Sequence, residues 1–213
     1  GRKSLVRLIQ SLIRQKPLQI THLILWDHKR SKNGYGPGDE DVNCCSSTSY
    51  RCYHYVMNHP MTSVERVDNH LRKIGISMAT TQYITQIDDD CWIEDGWFAA
   101  AIHAMEQKKY NYVFCKRRLW ESESVCLGED NYESIGTMNQ FGYHLMETNS
   151  IIFTSQVAME VARITHEHNE YGHDRHLAKY LINHQYGLYL SSFVGLNQLV
   201  PDFLFEFHKT NCK

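Results

Sequence analysis

The sequence has only 4 prolines in 213 residues, so few positions force the chain to turn. It has no run near the roughly 20 apolar residues of a bilayer-spanning helix. Its first fifteen residues, broken by Arg2, Lys3, Arg7 and Arg14, lack the continuous apolar block of a secretory signal. Neither sign of charge dominates: 22 Lys+Arg against 24 Asp+Glu leave a net charge of -2, which excludes a protein that grips nucleic acid mainly by charge. No Cys-x-x-Cys pair occurs, and the 7 cysteines are scattered at 44, 45, 52, 91, 115, 126 and 212. An odd, dispersed set in a chain this long argues against a disulfide framework, so reduced thiols and a soluble, cytoplasmic setting are predicted. There is no internal repeat and no low-complexity segment. What is present is ordinary globular usage, 42% hydrophobic and 22% charged, with 13 His and 13 Tyr as the enriched types. A chain of this size buries roughly 70% of its unfolded surface and needs no staples.

Leu5, Leu8, Ile9, Leu12 and Ile13 recur at helical spacing, so residues 3–15 are predicted as an amphipathic helix that ends at Lys16-Pro17. Leu18 to Leu25 follows as a buried strand and runs into Trp26-Asp27-His28. Residues 29–62 read as irregular, with Gly34, Gly36, Pro37 and Gly38 near the front. A second helix carries Val64, Val67, Leu71 and Ile74, and a strand, Gln82 to Ile87, ends directly in Asp88-Asp89-Asp90. A third helix is predicted over 94–107, strands over 110–115, 149–153 and 187–193, and helices from Ser155 and from near Asp174. Residues 116–148 are ambiguous, one or two strands with loop. Alternating strand and helix make the predicted class α/β, a mainly parallel central sheet flanked by helices. In such sheets ligands bind at the carboxyl ends of strands, where Asp27 and the acidic triplet both fall.

Three adjacent carboxylates repel one another and are costly to cluster without a cation or solvent. At a strand end Asp88 and Asp90 share a face while Asp89 points off it. Two hard oxygen ligands with room for water and phosphate suit Mg²⁺ or Mn²⁺; the plain alternative is a solvated loop. The stretch QYITQIDDDCW (82–92) resembles the strand-plus-D-x-D signature of GT-A glycosyltransferases of the large inverting class. Leu71-Arg72-Lys73-Ile74-Gly75-Ile76 is similar to that class's A-R-N-x-G-I helix, with Lys73 for Asn. Leu25-Trp26-Asp27-His28 sits where the class carries V-D-D-G-S, and Tyr171 to Leu177 resembles G-E-D-x-x-L with His173 in place of Glu. Within the class, the whole looks close to viral capsid-glycosylating enzymes. The resemblance covers roughly residues 3 to 190. One departure is that the class opens with a strand ahead of the first helix, so the GT-A sheet is expected to lack or replace that strand.

The resemblance implies a single domain, 1–213, with a nucleotide-binding half (1–115) and an acceptor-binding half (116–213). It implies a UDP-sugar donor and a Mn²⁺ or Mg²⁺ cofactor. Asp90 is the expected metal ligand, joined by His208 of the aromatic tail. Asp27, Arg72, Asp88 and Asp89 are expected to hold the nucleotide sugar, Asp27 accepting from the base, and Asp174 to serve as general base, although its place also suits a helix cap. Arg72 could instead pair with a nearby acid on its helix surface. The expected partners are the donor and a glycan or glycoprotein acceptor, with no nucleic acid and no membrane span; further domains of a longer polypeptide are open. His166, His168, His173 and His176 have zinc-like spacings without cysteine partners, and read mostly as surface or acceptor-site residues. Trp92, Trp120 and Tyr143 are candidate sugar-stacking rings, though such rings are more often core. Competing readings are a nucleotidyltransferase of related fold and a non-catalytic nucleotide- or carbohydrate-binding domain.

Overall fold

The computed structural model describes residues 3–26, 46–47, 49–56, 67–167 and 173–200. The opening helix α1 (Lys3–Ile13) buries Leu5, Leu8, Ile9 and Leu12, the stripe its spacing announces. Strand β1 (Ile20–Trp26) follows. The stretch expected to be irregular holds two strands, β2 (Ser46–Ser47) and β3 (Tyr50–Val56). In β3, Tyr50, Cys52 and His54 turn inward while Arg51, Tyr53 and Tyr55 face solvent. That is strand alternation written in polar and aromatic letters, which an apolar-run search passes over. β3 pairs parallel to β1, Ile20 opposite Tyr50 through Trp26 opposite Val56, and β2 pairs antiparallel to β3.

The second unit comprises β4 (Tyr83–Thr85), β5 (Cys91–Ile93), β6 (Tyr112–Ser122), β7 (Val125–Glu129), β8 (Ile151–Thr154) and β9 (Gly187–Leu199). Its order is β4-β8-β6-β9-β5, with β7 hairpinned onto β6. The ambiguous 116–148 region thus begins as a long strand whose polar outer half pairs with β7 and β9. Among the described residues parallel pairing is confined to β1/β3 and β6/β9; the other pairs are antiparallel, β6/β7 through a tight hairpin, so the sheet is less parallel than the sequence suggests.

Helices cover both faces. α1 and α3 (Trp97–Lys108) share one core with Ile24, Cys91, Ile93, Val113, Cys115, Ile152 and Leu196. α2 (Val67–Met78), α4 (Ser155–Glu167) and α5 (His173–His184) share another with Ile84, Tyr112, Phe114, Ile151 and Phe153. Consecutive residues of β6 and β8 therefore point into different cores, which explains their unbroken apolar sequence. α3 starts at Trp97 rather than 94, because Trp92 belongs to β5. Every helix of the described residues is too short or too polar to cross a membrane, and their four cysteines, Cys52, Cys91, Cys115 and Cys126, are free thiols.

Candidate functional site

The acidic triplet is the tight link between β4 and β5. The Cys91 N–H donates to the Asp88 carbonyl (3.1 Å), and the Leu199 N–H donates to the Asp90 carbonyl (3.1 Å), tying the turn to the end of β9. The two acids expected to act as a pair have different surroundings. Arg72, on α2, donates from Nη2 to both Asp88 carboxylate oxygens at 2.5 and 2.7 Å. Asn149 grips the same residue twice: its Oδ1 accepts from the Asp88 N–H (2.7 Å) and its Nδ2 donates to Asp88 Oδ2 (3.1 Å). Burial opposes ionisation of Asp88, but the Arg72 charge with its hydrogen bonds, and the Asn149 amide, outweigh it and hold the carboxyl below its usual range.

Asp90 has no cation beside it among the described residues. Its Oδ1 accepts a thiol hydrogen bond from Cys91 at 3.3 Å. Burial first, and then the nearby Asp88 charge, push its pKa from 3.8 up to about 6. The two acids therefore divide the work: one is neutralised by protein groups, while the other carries an electrostatic cost that a cation would relieve.

Polar contacts extend from this turn in both directions. On one side Arg72 Nη1 donates to His173 Nε2 at 2.8 Å. A guanidinium can only donate, so that nitrogen accepts and His173 is the neutral Nδ1–H tautomer. His173, one of four histidines read mostly as surface or acceptor-site residues, is buried at the start of α5. On the other side Glu147 Oε1 accepts from the Asn149 N–H (3.1 Å) and Nδ2 (2.7 Å), and Glu147 Oε2 accepts from Arg117. Arg117, fully buried on β6, also donates to Asp130 (2.7 Å), Glu133 (2.8 Å) and Gln198 (2.8 Å). Burial disfavours its charge; Glu147, Asp130 and Glu133 more than offset that and raise its pKa.

The other expected site residues are placed as follows. Asp174 follows His173 in the first turn of α5, half-buried, and among the described residues no hydrogen bond or ion pair holds its carboxyl. Asp89 is half-buried and lines, with Arg72 and Asp88, one end of a cavity of about 840 Å³. Asp27, His168 and His208 lie outside the described residues. Arg72, expected to touch the nucleotide or else to pair with an acid on its own helix surface, donates to Asp88 of the β4–β5 link. Among the described residues no three His, Cys, Asp or Glu side chains form a ready cage for a metal ion. The candidate stacking rings already have neighbours: Trp92 and Trp120 lie 5.6 Å apart with Arg7 over Trp92, and Arg175 covers Tyr143.

Asn149, Glu147 and Arg117 were missed from the sequence, because single Asn, Glu and Arg residues in an ambiguous stretch carry no spacing signal. The only hint was Glu147-Thr148-Asn149 immediately ahead of an apolar strand, a place where carboxylate and amide groups cap a turn.

The protein-family profile described as Glycosyl transferase family 2 matches residues 71–159, from the Arg72 helix through the acidic triplet into α4. No curated protein sequence matches the chain. Among solved structures, TarS 1–349 of S. aureus in complex with UDP is 10% identical, with a TM-score of 0.62 over 94% of this chain and 58% of that one. The same protein in complex with UDP-GlcNAc is 9% identical, with a TM-score of 0.59 over 93% and 55%. A 4-diphosphocytidyl-2C-methyl-D-erythritol synthase from Anaerococcus prevotii is 9% identical, with a TM-score of 0.50 over 90% of this chain and 80% of that one. The chain thus spans a little over half the length of the TarS structures. At these identities the likenesses show the fold, an α/β Rossmann-like sheet with helices on both faces.

Proposed function

We propose that this chain is a glycosyltransferase that moves a sugar from a UDP-sugar to a hydroxyl of a glycan or glycoprotein acceptor, with inversion and with a divalent cation. The observation that carries the reading is Asp90: a carboxylate raised to about 6, at a strand-end turn, beside an Asp88 already neutralised by Arg72. The family profile match over 71–159 and the fold shared with UDP-bound TarS support it.

The donor set fits a Mg²⁺-type ion. Such ions are commonly kept by one or two carboxylates plus substrate phosphate oxygens rather than by an all-protein cage. Asp90 supplies one carboxylate, and His208 is the proposed second ligand. When bound, a divalent cation offsets the negative charge that grows on the departing diphosphate. The protein's own part is positional. Asp88, locked by Arg72 and Asn149, fixes the turn that aims Asp90. Asp27, Arg72, Asp88 and Asp89 form the nucleotide-sugar side, within the proposed donor half 1–115 of a single domain. Asp174, in the acceptor half 116–213, would take the proton from the attacking hydroxyl as the anomeric bond breaks on the opposite face.

The test is calorimetry with UDP, UDP-GlcNAc and GDP, with and without Mn²⁺. Binding of UDP and UDP-GlcNAc should require Mn²⁺ and should be lost in Asp90→Asn. Nucleotide binding indifferent to the metal would refute the Asp90 assignment. The fold shared with the diphosphocytidyl synthase keeps nucleotidyl transfer as the second reading; release of pyrophosphate from CTP or UTP, in place of UDP from a UDP-sugar, would favour it.

A further inference from the structure

The acid turn is held at both ends from one buried guanidinium. At the Asp88 end the contacts form a chain of alternating polarity. Arg117 Nη1 can only donate, and Glu147 Oε2 accepts from it. Glu147 Oε1 takes the Asn149 N–H (3.1 Å) and Nδ2 (2.7 Å). Asn149 then closes on Asp88 with both atoms of its amide: Nδ2 donates to Asp88 Oδ2 (3.1 Å) and Oδ1 accepts the Asp88 N–H (2.7 Å). A flipped amide would set its oxygen against two carboxylates and its NH₂ against the Asp88 N–H, so each link dictates the orientation of the next. At the Asp90 end, Arg117 Nη1 also donates to Gln198 Oε1 (2.8 Å). Gln198 pairs with Cys91 across β9 and β5, and the next residue, Leu199, donates its N–H to the Asp90 carbonyl (3.1 Å).

The hub is itself immobilised from behind. Arg117 Nε donates to Asp130 (2.7 Å) and Nη2 to Glu133 (2.8 Å). Its carbonyl accepts the Asp130 N–H (2.9 Å), and its own N–H donates to the Ser134 hydroxyl (3.2 Å). The spacing of Glu147 and Asn149 is fixed too, because the Ser150 N–H (3.0 Å) and hydroxyl (2.7 Å) both donate to the Glu147 carbonyl. Arg117 (5% exposed), Asn149 (3% exposed) and Glu147 lie behind the turn rather than among the residues lining the cavity that Asp88 and Asp89 border. Whatever they contribute at the site therefore passes through the turn. A planar guanidinium can serve four acceptors in two directions; an ammonium, a point charge, cannot.

We infer that Arg117, Glu147 and Asn149 are positioning residues: the buried guanidinium orients Glu147, Glu147 orients the Asn149 amide, and the amide fixes Asp88, so the presentation of Asp90 depends on this chain. The inference rests on reading the turn as the metal and donor site. The order of donors and acceptors carries the effect, not charge alone. Glu147→Gln cannot serve both neighbours, because its NH₂ must face either the Arg117 donor or the Asn149 donors. Combining Glu147→Gln with Asn149→Asp restores the alternation at unchanged net charge. The new carboxamide turns its oxygen to Arg117 and its NH₂ to the new carboxylate, which also accepts the Asp88 N–H. Only the contacts to Asp88 Oδ2 and from the backbone N–H of residue 149 are not restored.

Amide hydrogen exchange on the 213-residue chain, without nucleotide or metal, tests the chain of contacts. In Glu147→Gln the Asp88 and Cys91 N–H groups should exchange at least about tenfold faster than in the parent. Val161 and Leu181, buried in α4 and α5, should change by less than about threefold. In the swapped pair Asp88 should return to within about threefold of the parent. A merely structural role would move all four residues together and would not be repaired by the swap; either result would overturn the inference. Arg117→Lys keeps the buried charge and removes the fork, so it carries the same comparison where Glu147→Gln does not fold. There Asp88 and Leu199 should both lose protection, and parent-like rates at both would overturn it. With Mn²⁺ present, UDP should bind Glu147→Gln at least about tenfold more weakly and the swapped pair more tightly than Glu147→Gln. Unchanged affinity in Glu147→Gln would overturn the link from the chain to the site. A parent that binds no UDP with Mn²⁺ would instead refute the glycosyltransferase reading, and exchange alone then decides whether the chain positions the turn.

Discussion

Replacing Asp90 by Asn should make the protein more stable and remove its metal-dependent nucleotide binding. Burial and the adjacent Asp88 raise the Asp90 pKa from 3.8 to about 6. A carboxyl with a folded-state pKa above its unfolded value holds its proton longer in the folded chain. Stability is therefore undiminished below about pH 3.8 and falls as pH rises through 6. Two units at about 1.4 kcal/mol each give on the order of 3 kcal/mol at neutral pH, and water reaching a partly exposed carboxyl trims this to about 1–3 kcal/mol. Asn keeps the shape, cannot ionise, and retains an oxygen to accept the Cys91 thiol. The variant should melt about 2–12 °C higher at pH 7.5 in the absence of divalent ions. The two proteins should converge near pH 4, where Asp90 is protonated. His22 complicates each curve alone: burial and then His54 lower its pKa to about 4, so it erodes stability as pH falls from 6.5 to 4. It is common to both proteins and cancels in the difference. Paired thermal melts from pH 4 to 8, with Mn²⁺–UDP calorimetry on both, make the assay. A variant no more stable than the parent at pH 7.5 would refute the electrostatic reasoning, and one that still binds UDP only with Mn²⁺ would remove Asp90 as the ligand.

Asp174→Asn should abolish transfer while leaving Mn²⁺-dependent UDP binding intact; undiminished turnover in a product assay would remove Asp174 from the chemistry. Arg117→Met should cost about 3–5 kcal/mol, because it leaves Asp130, 2% exposed, buried without its counter-charge; a urea titration would show the shift in midpoint. Gly187→Ala should destabilise by about 1–3 kcal/mol, since a Cβ there would lie 2.1 Å from the buried Tyr112 ring; a melting temperature within a degree of the parent's would show that the ring can yield.

The legible parts of the sequence were those where one physical signal dominates. The α1 stripe and the acidic turn stand where periodicity and charge put them, and the strands expected over 110–115 and 149–153 are present, beginning at Tyr112 and Ile151. β3 was illegible because Tyr-Arg-Cys-Tyr-His-Tyr alternates by orientation rather than by hydropathy. The division into two sheets was illegible for another reason: pairing is a long-range property that no local pattern in the sequence carries. In the site, adjacency revealed the triplet but neither its Asn149 clamp nor the contact behind Arg72, which span sequence distances of 61 residues (Asn149 to Asp88) and 101 residues (Arg72 to His173).

Those distant partners explain why two acids two residues apart have opposite electrostatic fates. Arg72 carries one charge and donates to both Asp88 and His173. The G-E-D-x-x-L resemblance places a Glu where this chain has His173. A carboxylate there would compete with Asp88 for the single guanidinium charge. A neutral imidazole accepts one N–H without competing with Asp88 for that charge. A neutralised Asp88 in turn repels Asp90 less than a bare carboxylate would, which moderates the cost of holding Asp90 ready. On the far side, Glu147 is occupied by Arg117 and by the Asn149 amide. Asp88 and Glu147 are thus each balanced by partners with a fixed donor geometry, and Asp90, with no cation beside it among the described residues, stands at the position the proposed chemistry needs it.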